Sequence, residues 1–159
     1  MDILIFGAGS IGNHLANASK RLNWSVTILD IDPKALQRTK GEIYPQRYGS
    51  WDESIKLIDN IENLEKKPDL IIIGTPPDSH IKLASVALNL NPKAILIEKP
   101  LCTPSREGLN EFKVASANSS TKIFVGYNHI LGSACQKINT IINSKDFGEV
   151  ITIDVEFRE

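Results

Sequence analysis

The stretch that decides the fold is Ile3–Gly12, which reads ILIFGAGSIG. Its four apolar residues predict a short buried strand, and Gly7, Gly9 and Gly12 form a G-x-G-x-x-G pattern that leads into a helical segment. In folds that bind dinucleotides, the first glycine makes a tight turn and the second lets the backbone approach a diphosphate. The third lets helix and strand pack closely. The strand, turn and helix that the pattern requires are all predicted here.

The same turn predicts an anion site. The first N–H groups of a helix have no partner within the helix, and the helix dipole is positive at that end, so a phosphate group binds there readily. We therefore expect the diphosphate of a cofactor to contact the turn and the first helical residues, namely Gly7, Gly9, Ser10, Ile11 and Gly12.

An acidic residue, Asp30, follows the second predicted strand. A carboxylate about 20 residues beyond the glycine turn accepts hydrogen bonds from ribose hydroxyls, and we expect Ile31 beside it to contact the cofactor too. Because a carboxylate repels a 2′-phosphate, Asp30 favours NAD over NADP.

Two other interpretations of this pattern stay open. The glycine turn could serve packing alone, with Asp30 as a helix cap, although Asp32 before Pro33 already supplies that cap. An S-adenosylmethionine site also uses a glycine turn and an acidic residue after the second strand.

Apolar runs of four or five residues recur between helical patterns along the chain. Short continuous runs of this kind indicate strands covered on both faces, so the chain predicts an α/β fold with a doubly wound parallel Rossmann sheet. The predicted strands are ILIF from Ile3, SVTIL from Ser25, LIII from Leu70, AILI from Ala94 and KIFV from Lys122. The predicted helices begin at Pro33, after Asp78 or Ser79, at Pro104 and at His129, and the last three end near Leu90, Asn118 and Ser144.

The last segment, EVITIDVEFRE, has a different pattern, because apolar and polar residues alternate strictly from Ile151 onward. Alternation predicts a strand that is exposed on one face, which is typical of antiparallel sheets. We therefore expect residues 1–148 to form the nucleotide-binding domain. Residues 149–159 are expected to be the first strand of a missing C-terminal α+β domain, so the chain reads as truncated.

Composition narrows the range of partners. The 159 residues carry a formal net charge of −1, and no basic excess points to nucleic acid. No apolar run reaches the roughly 18 residues that a membrane span needs. The two cysteines, Cys102 and Cys135, lack metal-binding spacing, and no leader segment is evident, so we expect a cytoplasmic protein without a metal.

Two further segments follow strands at the same predicted edge of the sheet. In GTPPDSH we expect Thr75, Pro76 and His80 to line the cofactor site, because ligands lie beyond the carboxyl ends of the strands. In EKP, Glu98 and Lys99 point to opposite sides of a strand end. On spacing alone these two charges are equally consistent with a solvated pair.

The motifs GAGSIG, GTPPDSH, EKPL and VGYNH, together with Asp30, resemble the Gfo/Idh/MocA family of glucose-fructose oxidoreductases and inositol dehydrogenases, specifically its N-terminal domain. The resemblance implies hydride transfer between NAD(P) and a sugar, polyol or nucleotide-sugar carbinol. It implies that Lys99 is catalytic and lies beside the nicotinamide, and that the Lys99–Pro100 bond is cis. Glu98 and Asn128 are implied as cofactor-side residues.

The resemblance also sets limits on this chain. It implies that substrate binding and homo-oligomer formation depend on a C-terminal domain, so the 159 residues alone should show little turnover. The segment NHILGSA departs from the family pattern, because Ile130 stands where relatives carry an arginine that contacts substrate. A non-catalytic dinucleotide-binding module, for redox sensing or assembly, is the alternative function.

Overall fold

The computed structural model describes residues 1–156 and contains a six-stranded parallel sheet with the order β3-β2-β1-β4-β5-β6. The strands are β1 (Asp2–Phe6), β2 (Ser25–Leu29), β3 (Lys56–Ile58), β4 (Leu70–Ile73), β5 (Ala94–Ile97) and β6 (Lys122–Val125). The helices are α1 (Ser10–Arg21), α2 (Pro33–Arg38), α3 (Tyr44–Tyr48), α4 (His80–Asn89), α5 (Leu109–Ala117) and α6 (Ser133–Ser144). A π-helical turn (Thr39–Ile43) joins α2 to α3, and 3₁₀ turns lie at Ile61–Asn63 and Asn128–Leu131.

Both faces of the sheet are covered, which confirms the doubly wound fold. Leu4 and Phe6 of β1 point into one apolar cluster, whereas Ile3 and Ile5 point into another on the opposite face. The first cluster is completed by α4 and α5, and the second by α1, α2 and α3. The strands are therefore buried on both sides, as their continuous β-branched runs predict.

The five predicted strands all form, and the structure adds β3, which the sequence analysis missed. This strand has three residues and pairs only with β2 at the edge of the sheet. Its residues are half-buried or exposed because the strand lies at the edge of the sheet. Its sequence, Lys56–Ile58, therefore has no continuous apolar run like those of the other strands.

Two helices begin later than predicted. The segment from Pro104 forms turns instead of a helix, because Arg106 and Gly108 have φ values of 56° and 70°, outside the helical region. The helix α5 therefore begins at Leu109. In the last helical segment, Gly132 adopts an extended conformation that separates a 3₁₀ turn from α6.

The described chain divides into two compact units, Met1–Gly126 and the part from Tyr127 onward. The first unit contains the whole sheet, and the second contains α6. The predicted C-terminal strand does not form over residues 149–156, and residues 157–159 lie outside the described residues. An alternating strand needs a neighbour to accept its backbone hydrogen bonds, and the described residues supply none there. The domain boundary at residue 148 stays a prediction.

No helix within residues 1–156 is both long enough and apolar enough to cross a membrane.

Candidate functional site

We call the space beyond the carboxyl ends of β1 and β4 the crevice, because ligands of open α/β sheets bind there. The chain runs outward in opposite directions from these two adjacent strands, which makes this point the topological switch of the sheet. The turn after β1 packs against the turn after β4, since a Cβ atom built on Gly7 would lie 3.0 Å from Thr75 Cγ2 and 3.1 Å from the Gly74 carbonyl. The two turns therefore form the floor of the crevice.

The glycine turn depends on the absence of side chains at two positions. Gly7 has φ +102°, a backbone conformation that side chains disfavour. A Cβ atom on Gly12 would lie 1.9 Å from the Gly7 carbonyl oxygen, a distance that real structures do not allow. The first and third glycines are thus required by the turn itself, before any ligand binds.

The second glycine is different, because nothing lies within 4 Å of a Cβ atom placed on Gly9. The helix α1 begins directly after it, and Ser10 and Ile11 are exposed. The first N–H groups of that helix have no acceptor inside it. This open space in front of free amides is suited to the diphosphate of a dinucleotide.

Two buried polar residues that the sequence analysis missed support the turn from below. Asn13 has no exposed surface, and its Nδ2 donates to the carbonyl oxygens of Ala8 at 3.1 Å and Gly9 at 2.8 Å. Thr39, also fully buried, donates its hydroxyl to the Ala8 carbonyl and accepts from Asn13. In the sequence, this support is indicated only by a polar residue, Asn13, on the buried face of α1.

Asp30 also holds the turn. Its Oδ2 accepts from the Ala8 N–H at 2.8 Å, and its Oδ1 accepts from the Asp32 N–H at 3.0 Å. Each carboxylate oxygen has a second lone pair, so both remain able to accept a ribose hydroxyl. The helix cap is Asp32, whose side chain accepts from the Lys34 N–H. Ile31 is 86% exposed beside this carboxylate.

The turn after β4 forms the opposite wall. Thr75 is half-buried, and its hydroxyl lies 2.6 Å from the Ser79 hydroxyl. Ser79 in turn donates to the Pro76 carbonyl at 2.7 Å, and this hydrogen bond holds the turn. The Pro76 residue itself is exposed. Thr75 and Pro76 therefore lie just beyond the carboxyl end of β4, and their contact with a cofactor stays a prediction.

His80 does not line the crevice. Its side chain has no exposed surface, and both ring nitrogens contact backbone carbonyls, Nδ1 with Pro100 at 2.8 Å and Nε2 with Thr75 at 2.7 Å. The expectation of direct cofactor contact is therefore corrected. His80 is the first helical residue of α4, and its ring points inward because both ring nitrogens contact carbonyl oxygens of the two turns.

The turn after β5 carries the two charges of EKP. Lys99 is exposed, and within residues 1–156 its ammonium group has no hydrogen bond or ion pair. Glu98 is half-buried, accepts from the Lys99 N–H at 3.2 Å and lies against Gly126. The Lys99–Pro100 peptide bond is cis, as the family resemblance implies.

The opposite, amino-terminal edge of the sheet shows the contrasting arrangement of charges. Asp69, before β4, accepts from Lys93 Nζ at 2.8 Å and from the Asp2 N–H at 3.0 Å. The hydrogen bond from Lys93 and that from Asp2 lower the pKa of Asp69, and the same pairing raises the pKa of Lys93. Asp69 and Lys93 thus pair at that edge, whereas Lys99 has no such partner within residues 1–156.

Asn128 belongs to the second unit of the chain, where it begins the 3₁₀ turn Asn128–Leu131 and is exposed. The remaining predicted residues, except His80, lie just after the carboxyl ends of β1, β2, β4 and β5 in the first unit.

A comparison with protein-family models matches residues 1–127 to the oxidoreductase family with the NAD-binding Rossmann fold, GFO_IDH_MocA. The match covers most of the chain and includes every residue of the crevice described above. The chain belongs to this family. No curated protein matches it.

Several solved structures share the family fold. The WlbA dehydrogenase from Bordetella pertussis, in complex with NADH and UDP-GlcNAcA, is 20% identical with a TM-score of 0.72. A myo-inositol dehydrogenase from Corynebacterium glutamicum is 24% identical with a TM-score of 0.70. The scyllo-inositol dehydrogenase from Lactobacillus casei, with NAD(H) and scyllo-inositol, is 17% identical with a TM-score of 0.70.

These alignments cover 93 to 94% of this chain but only 41 to 42% of the solved chains. The chain therefore spans less than half the length of the family members that it resembles in structure. At these identities the likeness supports the fold.

Proposed function

We propose that this chain is the NAD(H)-binding part of a dehydrogenase that transfers hydride between the nicotinamide and a carbinol of a sugar, polyol or nucleotide sugar. The observation that carries the proposal is the arrangement of one sheet edge. An open glycine turn, a carboxylate able to accept ribose hydroxyls and an unpaired lysine all meet at the carboxyl ends of adjacent strands.

The residues of the crevice fit a dinucleotide. The free amides of Ser10 and Ile11 would bind the diphosphate, Asp30 would accept the adenosine ribose hydroxyls, and the exposed side chain of Ile31 would cover the adenine. Asp30 would repel a 2′-phosphate, which favours NAD over NADP. When bound, the nicotinamide supplies the carbon that accepts or donates the hydride.

Lys99 is the residue that we assign to proton transfer. Its exposed amine lies at the end of β5, one strand away from the turn after β4 that forms the crevice wall. A lysine amine in that position orients the substrate hydroxyl and takes its proton while hydride leaves the same carbon. We assign Glu98 and Asn128 to cofactor positioning.

Two of the dehydrogenases named above support this substrate class, since their structures contain scyllo-inositol or UDP-GlcNAcA. Because those chains are more than twice as long, we propose that substrate binding and homo-oligomer formation involve chain beyond the aligned part. We also propose that the protein acts in the cytoplasm.

A fluorescence titration tests the cofactor assignment. The 159-residue chain should bind NADH more tightly than NADPH, because Asp30 opposes the additional phosphate. Preference for NADPH would contradict the role of Asp30, and preference for S-adenosylmethionine in a parallel calorimetric titration would contradict the dehydrogenase assignment.

A lysine pair tests the chemistry in the protein at its full natural length, with polyols, aldoses and nucleotide sugars as candidate substrates. Lys99→Ala should lower kcat and leave NADH affinity nearly unchanged. Lys122→Ala is the matched control, since Lys122 is an exposed lysine at the opposite edge of the sheet. Unchanged kcat in Lys99→Ala would remove Lys99 from the mechanism, and the absence of turnover with every substrate class would favour a non-catalytic module.

A further inference from the structure

The strands β4 and β5 part where the crevice begins. Their last backbone hydrogen bond runs from the Glu98 N–H to the Ile73 carbonyl at 2.9 Å. Beyond it, within residues 1–156, no backbone hydrogen bond joins the turn of Gly74–Ser79 to the turn of Lys99–Cys102. Both turns carry residues of the proposed site, so their separation must be set by side chains.

The His80 ring spans this gap. Its Nε2 lies 2.7 Å from the Thr75 carbonyl oxygen in the first turn, and its Nδ1 lies 2.8 Å from the Pro100 carbonyl oxygen in the second. The side chain has no exposed surface, so water does not compete for either contact. One buried ring thus replaces the missing backbone hydrogen bonds between the two turns.

Charged residues lie on every element that packs near the ring, but none of those described forms a hydrogen bond or ion pair with it. They are Asp78 and Lys82 around the start of α4, Glu98 and Lys99 after β5, and Arg106, Glu107 and Glu111 in and before α5. Among the described residues, the two carbonyl oxygens are thus the direct partners of the ring.

We propose that His80 is a positioning residue that fixes the Lys99 turn against the Thr75 turn through its two buried ring contacts. Its Pro100 contact lies one residue beyond Lys99, and its Thr75 contact lies one residue before Pro76. The ring therefore fixes the backbone of the two turns relative to each other. The role in catalysis rests on the proposed function, whereas the contacts between the ring and the two turns do not.

Nitrogen NMR of the 159-residue chain tests the ring contacts without cofactor or substrate. The sequence has three histidines, His14, His80 and His129, and His80→Asn assigns the signal. We expect a His80 ring N–H that exchanges slowly with solvent, because the ring is fully buried between two carbonyl oxygens. A His80 ring N–H that exchanges as rapidly as that of the exposed His14 would overturn the proposal even if the protein proves to be a dehydrogenase.

Two substitutions test the positioning role in the protein at full natural length. The amide nitrogen of Asn replaces Nδ1 and can retain the Pro100 contact, whereas that of Gln replaces Nε2 and can retain the Thr75 contact. We expect His80→Gln to lower kcat about 10- to 100-fold, as displaced catalytic groups do, and His80→Asn to lower it less. NADH affinity should change little in both.

If both variants lose kcat, NADH affinity and stability to the same extent, His80 is a general structural residue and the positioning role is wrong. Because the NMR measurement uses the unmodified chain, the proposal remains testable even if neither variant folds.

Discussion

A pair of glycine substitutions separates ligand binding from folding in the glycine turn. In Gly9→Ala the added methyl group meets no atom within 4 Å, and the backbone at φ −80° and ψ −167° suits any residue. We therefore expect the free energy of unfolding to stay within about 0.5 kcal/mol of the original value. In Gly12→Ala the methyl group lies 1.9 Å from the Gly7 carbonyl oxygen, so the strand or the helix must move.

The two variants should affect different quantities. The overpacking in Gly12→Ala lowers the free energy of unfolding by roughly 1 to 3 kcal/mol or more, which lowers Tm by about 2 to 12 °C for a domain of this size. In Gly9→Ala the methyl group occupies the space through which a diphosphate approaches the amides of α1. Loss of one charged hydrogen bond there costs about 1.5 to 3 kcal/mol, so NADH affinity should fall roughly 10- to 150-fold.

Thermal unfolding followed by circular dichroism, and NADH titration followed by fluorescence, measure the two effects on the same preparations. We expect Gly9→Ala to be stable but weak in NADH binding, and Gly12→Ala to be destabilised. If Gly9→Ala binds NADH as tightly as the unmodified chain, the diphosphate does not approach this turn. If Gly12→Ala is as stable as the unmodified chain, the close packing of turn and helix is wrong.

Two further predictions concern stability. Leu4→Ala should lower the free energy of unfolding in urea by about 2 to 5 kcal/mol, because Leu4 is fully buried in the centre of the sheet; an effect as small as that of Val114→Ala, an exposed position, would contradict the core assignment. Asp69→Asn should destabilise the chain at neutral pH. Because the folded state lowers the pKa of Asp69, this stabilisation exists above the unfolded pKa and is lost as pH falls through the folded pKa. The stability difference should therefore vanish in acid.

The fold could be predicted because its strongest signals are local. Continuous β-branched runs such as Leu70–Ile73 indicate strands buried on both faces, and the structure confirms each of them. The signals fail where local pattern and tertiary context differ. The strand β3 has no apolar run because it lies at an edge, and the segment from Pro104 resembles a helix start although Arg106 and Gly108 adopt left-handed conformations.

The candidate site was predictable in its ligand-facing residues but not in its supports. Glycine spacing and Asp30 follow a known geometric pattern, so their neighbourhood could be placed from the sequence. The roles of Asn13, Thr39 and His80 depend on contacts across 5 to 31 positions of sequence, which no local pattern encodes. His80 was misplaced for this reason: its position in the chain suggests the crevice, but its ring turns inward to two carbonyl groups.

The double use of Asp30 has a consequence for any attempt to redesign coenzyme preference. Replacing this carboxylate with a small or basic residue is the direct way to admit a 2′-phosphate, yet the same change removes the acceptor for the Ala8 amide. Selectivity and the shape of the turn are therefore coupled at a single side chain. An engineered switch to NADP would need a second substitution that offers the Ala8 amide a new acceptor, and variants that lack one should lose affinity for both coenzymes.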